Sequence, residues 1–181
     1  VENIRTAFFG TSEETGWESL TSYYQKASFG KLNISGDVLP VYSTGKSSSY
    51  YDGIEKGDYE IIKAALTYYD STIDYSKYDS DGDGYIDSIY LVYTCEINRT
   101  DDNSMWWAYT YEYFTDDVEY YDNVEADFYI FMSYRFLFDE LQGKTVKYNA
   151  ETIIHETGHL LGLNDYYDYD DTTGPSGGIG G

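Results

Sequence analysis

Residues 148–165 read Y-N-A-E-T-I-I-H-E-T-G-H-L-L-G-L-N-D and hold both histidines of the chain. His155 and His159 stand four apart in H-E-x-x-H. On a helix, which rises about 1.5 Å per residue, that spacing stacks two imidazoles on one face with Glu156 beside them. Asn149 reads as the N-cap, and Glu151 falls in the first turn, where the helix dipole favours an anion. Ile153, Ile154, Leu160 and Leu161 supply an apolar side. Gly162 fits the left-handed residue that ends a helix and lets the chain reverse.

Two imidazoles on one face suit a metal ion, and no third histidine exists to join them. The third protein ligand is then a carboxylate or another group. Asp165, three residues beyond Gly162, is placed by the turn to reach the same point. Two histidines and one carboxylate leave a fourth position open, the arrangement of a catalytic zinc, and zinc suits this donor set better than magnesium or calcium. Glu156 can then act as general base toward a water attacking a peptide carbonyl, returning the proton to the leaving amine. The bland reading, two surface histidines on an ordinary helix, leaves the spacing of Glu156, Gly162 and Asp165 without a reason.

The 181-residue length suits one domain, 1–181, with a real core. Its 33 acidic and 11 basic side chains give a formal charge of −22, which opposes nucleic acid and anionic membrane surfaces and favours cations or cationic substrates. An aromatic content of 19% with only two prolines argues against disorder of the body of the chain. The 24 tyrosines suit half-buried strands and cleft walls. The lone Cys95 reads as a buried thiol. No apolar run approaches the roughly 18 residues of a membrane span. The opening V-E-N-I-R-T reads as that of a processed or cut chain.

Along the chain, residues 1–16 are polar and give no clear element. Leu20, Tyr23 or Tyr24, and Ala27 share a helical face, with Gly30 as the stop. K-L-N-I-S-G-D-V-L-P-V-Y (31–42) predicts a hairpin about Gly36-Asp37, and 43–49 a loop. Gly57 to Tyr69 predicts a helix with the stripe Ile61, Ile62, Ala65, Leu66 and Tyr69. I-D-S-I-Y-L-V-Y-T-C (86–95) predicts the buried central strand, 105–114 a strand that lines a sheet edge, and Phe128 to Tyr134 a further strand before the histidine helix. These elements make an α+β chain.

Between helix and strand lies Y-D-S-D-G-D-G-Y-I-D (78–87). Asp79, Asp81 and Asp83 at alternate positions, Gly84 at the sharp turn, the Tyr85 carbonyl and Asp87 predict a loop around one structural Ca2+. Tyr90 stands where a helix-loop-helix calcium loop has its bidentate Glu, and a strand replaces the second helix. The alternative is a solvated acidic turn.

H-E-T-G-H-L-L-G-L-N-D, followed by Y-Y-D-Y-D, resembles the motif H-E-x-x-H-x-x-G-x-x-D of the immune inhibitor A family of secreted bacterial zinc metallopeptidases. The segments S-Y-Y-Q-K-A-S-F-G-K-L-N-I-S-G-D-V and D-S-D-G-D-G-Y-I-D-S-I-Y-L-V-Y resemble it too, while 96–147 matches weakly. The resemblance implies a zincin or metzincin-like twisted mixed sheet packed on the active-site helix, and beside it the chain reads as truncated at both ends. It implies an exported, extracellular endopeptidase acting on polypeptides, with His155, His159 and Asp165 on Zn2+ and Glu156 as base; apart from the resemblance, a monomer is expected. Snapalysins share the short motif but would not explain the calcium-like loop. The resembled families set the zinc on a methionine-containing turn downstream of the third ligand, and no Met follows Met132 here. Either the chain is cut before that turn or the floor of the site is built differently. Tyr167 matches a tyrosine that could stabilise an oxyanion. The rival expectation is a calcium-stabilised extracellular adhesion or binding module with a non-catalytic metal site, against which the intact Glu156 argues.

Overall fold

A computed structural model describes residues 1–97, 104–115, 118–142 and 145–165. Helices α1 (Glu2–Phe9), α2 (Ser12–Thr15), α3 (Leu20–Ala27), α4 (Ser48–Asp52) and α5 (Gly57–Tyr69) come first. Among the described residues the strands β1 (Tyr85–Ile86), β2 (Ile89–Tyr93), β3 (Tyr109–Glu112), β4 (Tyr120–Tyr121), β5 (Val124–Ala126), β6 (Phe128–Ser133), β7 (Phe138–Gln142) and β8 (Thr145–Tyr148) follow, and then helix α6 (Glu151–Leu160). The architecture is α+β with small mixed sheets.

The main sheet has the order β2-β6-β3, with β2 parallel and β3 antiparallel to β6. β6 is the central strand because F-Y-I-F-M-S is apolar toward both faces, and Tyr129 to Met132 are fully buried. Side chains alternate across the pleat. Tyr129 and Phe131 therefore enter one core with Ile61, Ile62, Leu66 and Tyr69 of α5, whereas Ile130 and Met132 enter a second with Ala7 and Phe8 of α1, Leu20 and Tyr24 of α3, and Ile153 of α6. Burying each such side chain contributes about 1.5–3 kcal/mol. The sheet is thus sandwiched between α5 and the histidine helix.

Several expectations change. The central strand is β6, not 86–95. That segment divides between β1, paired with β5, and β2, at the edge of the described main sheet. Residues 31–42 form no hairpin, since neither Gly36 nor Asp37 takes the positive φ that a two-residue turn needs. They run irregularly instead, with Leu32 and Ile34 against one core and Leu39 and Tyr42 against the other. The polar opening is helical, because Ile4, Ala7 and Phe8 share a face that meets the core, and α4 begins inside the expected loop at Ser48. The helices at 20–27 and 57–69 and the strand at 128–133 stand where the sequence put them.

Candidate metal centre

Local chemistry starts α6 cleanly. The N-cap is Ala150 rather than Asn149, yet the Asn149 Oδ1 accepts from the Glu151 amide at 2.9 Å, so the asparagine still satisfies a free donor of the first turn. Ile153, fully buried, pins the apolar side. Tyr24 of α3 donates to the Ile154 carbonyl at 2.8 Å, and Tyr90 of β2 meets the Thr157 hydroxyl at 3.0 Å, which fixes the rotation of the helix from two sides. Gly162 has φ +82°, and the Leu163 amide returns to the Gly158 carbonyl at 3.0 Å. This left-handed closure turns 163–165 back along the helix face.

That reversal brings Asp165 to the histidines. His155 Nε2 and His159 Nε2 lie 3.1 Å apart, and Asp165 Oδ1 lies 3.1 Å from the first and 3.3 Å from the second. The His159 Nδ1 sits 2.9 Å from the Leu163 carbonyl. A carbonyl only accepts, so Nδ1 carries the hydrogen, and in the neutral ring Nε2 offers its lone pair to the shared point. Zinc held tetrahedrally at about 2.0–2.1 Å sets its ligands about 3.3–3.4 Å apart, so this triangle fits the ion closely. The His159 Nε2 lone pair and the Asp165 carboxylate thus face the same point as His155 Nε2, where a cation or a proton offsets their mutual repulsion. The sequence named all three, and the structure joins them.

Glu156 is 6% exposed and opens onto the same cleft, which measures about 770 Å³ and is walled by Trp107, Thr110, Phe136 and Thr152 as well as the triad. Burial holds its carboxyl above the usual carboxylate range, opposed by a hydrogen bond from Thr110 and by the nearby imidazoles. The Thr110 hydroxyl lies 3.0 Å from Glu156 Oε2 and 2.8 Å from the Glu156 carbonyl. Sequence reading missed Thr110, which is one threonine in an alternating strand, 46 positions before its partner. It also missed the Leu163 carbonyl, a main-chain group that carries no residue signal. Tyr167 lies outside the described residues.

In the acidic loop, carboxylate oxygens of Asp79, Asp81 and Asp87 gather within 4.8 Å of one another. Asp79 accepts from the amides of Gly82, Asp83 and Gly84 at 2.7, 3.1 and 3.1 Å, and Asp87 from Ser80 at 3.2 Å. Asp83 is outside that group, its Oδ1 accepting from the Tyr85 amide at 2.9 Å. The Asp87 amide donates to the Tyr78 carbonyl at 2.7 Å, closing the loop at its base.

Among the described residues no helix is long and apolar enough to cross a membrane. No protein-family model matches the chain, and no curated protein matches it.

Proposed function

We propose that this chain is a zinc-dependent endopeptidase of the metzincin-like, immune inhibitor A-like kind, acting on polypeptides outside the cell. The observation that carries the reading is the convergence of His155, His159 and Asp165 to 3.1–3.3 Å beside a buried glutamate in an open cleft. His155, His159 and Asp165 would hold the zinc, which would supply Lewis acidity toward the scissile carbonyl and the attacking water. Glu156 takes the proton of the attacking water and passes it to the leaving amine.

The cleft also has a place for an extended chain. β3 pairs with β6 on one side only among the described strands, and Trp107 to Thr110 form one wall of the cleft. A peptide laid along that edge takes main-chain hydrogen bonds from β3. Trp107 and Phe136, edge to face at 5.3 Å, offer an aromatic wall to an apolar side chain of the substrate. We further propose a structural Ca2+ in the 79–87 loop, held by the grouped carboxylates of Asp79, Asp81 and Asp87, with Asp83 shaping the turn through its bond to the Tyr85 amide.

The test is Glu156→Ala. It is expected to bind zinc as the parent does and to lose cleavage of an unfolded protein by at least about a hundredfold, the lower end of what general base catalysis contributes. A variant that cleaves as fast as the parent would remove Glu156 from the chemistry.

A further inference from the structure

Thr110 stands at the middle of β3, in register with Ile130 of the central strand. Ile130 is fully buried between the sheet and α1, α3 and α6, so the sheet fixes where Thr110 sits. Its hydroxyl faces α6 and lies within reach of two Glu156 acceptors, the carboxylate Oε2 (3.0 Å) and the main-chain carbonyl (2.8 Å), which share its one hydrogen. The two contacts bracket the glutamate from root to tip. A glutamate has three side-chain torsions, and without such a partner the carboxylate samples several directions over the cleft.

We infer that Thr110 is a positioning residue for the proposed peptidase reaction: its hydroxyl holds Glu156 Oε2 and leaves Oε1 as the oxygen that receives the proton of the attacking water. The inference rests on the reading of Glu156 as general base. It assigns the two carboxylate oxygens different tasks, and it joins the base to the strand that the substrate lies along. A peptide paired with the outer edge of β3 and a base tied to the middle of β3 share one rigid reference, so the distance between scissile carbonyl and base is set by the sheet rather than by a loop.

The experiment compares the parent, Thr110→Ser, Thr110→Val and Glu156→Gln, each loaded with zinc, for kcat and KM on one peptide, for zinc affinity, and for calorimetric binding of a peptide hydroxamate, whose acidic proton Glu156 accepts. Thr110→Val keeps shape and loses the donor. It is expected to lower kcat about tenfold to a hundredfold, the cost of a misplaced catalytic group, with KM and zinc affinity within about twofold, and to weaken hydroxamate binding about tenfold. Thr110→Ser restores the donor and is expected to stay within about threefold of the parent throughout. Where Thr110→Val melts well below the parent, Thr110→Ala with Thr110→Ser gives the same comparison. Parental kcat and hydroxamate binding in the valine or alanine variant, or an equal loss in the serine variant, would overturn the role of Thr110 while an inactive Glu156→Gln leaves the base in place. An active Glu156→Gln would overturn the reading beneath it.

Discussion

Replacing Asp58 by Ala tests how the wall of the cleft is held. Asp58 opens α5, and its Oδ2 accepts from the Tyr109 hydroxyl of β3 at 2.8 Å and from the Tyr129 hydroxyl of β6 in a short contact. Tyr129 is 0% exposed, and both phenols are pushed upward in pKa, burial being the main cause and the Asp58 carboxylate adding to it. One carboxylate thus ties the first turn of a helix to the central strand and to the edge strand. Truncation leaves two phenolic donors without this acceptor, at about 1–3 kcal/mol each, so a loss of about 4 kcal/mol is expected. For a chain of this size that is a fall in Tm of roughly 12 °C. Tyr129→Phe removes one donor and is expected to cost about 2 kcal/mol, the range for a hydrogen bond to a charged group. The assay is thermal unfolding of the two single variants and the double variant, read as a cycle. A coupling of about 1–2 kcal/mol between Asp58 and Tyr129 is the expected result. Additive losses, or an Asp58→Ala protein that melts within about 2 °C of the parent, would refute the claim that this network carries the edge strand.

Other consequences are as direct. The hydroxyls of Tyr78 and Tyr113 are both pushed up to about 12, by burial first and then, for Tyr78, by its hydrogen bond to Asp37. In the unfolded chain tyrosine ionises near pH 10, so the stability these groups give is whole below that value and is lost as pH rises toward 12. A Tm that stays flat between pH 9 and 12 would contradict this. Calcium at about a hundred times its Kd is expected to raise stability by about 2.7 kcal/mol through the acidic loop, and Asp79→Ala to abolish the response; an unchanged response in that variant would place the ion elsewhere. Glu156→Ala is expected to keep zinc and lose proteolysis, as measured by metal content beside substrate cleavage.

Local signals reached a good part of this in advance. The stripe of α5 predicts its bounds because Ile61, Ile62, Leu66 and Tyr69 face one core. The triad was legible because the left-handed Gly162 is a local necessity, and what lies three residues past it follows. Pairing across the sheet was not legible. I-Y-L-V-Y and F-Y-I-F-M-S are both apolar strands with side chains in both cores, and only the pairing of the second with a strand on each side makes it central. Gly36-Asp37 has the composition of a turn, but Leu32, Ile34, Leu39 and Tyr42 gain more by packing into two cores than by pairing with each other. Thr110 and Asp58 act through partners 46 and 71 positions away, distances at which a sequence carries no periodic trace.

The central claim is that His155, His159 and Asp165 hold one catalytic zinc, and metal content measured together with chelator-sensitive cleavage tests it most directly. One equivalent of zinc is expected in the parent and none in Asp165→Ala or His159→Ala, with cleavage of an unfolded protein stopped by a chelator and restored by added zinc. A protein that cleaves undiminished after all its zinc is removed, or that takes up no zinc at all, would contradict it.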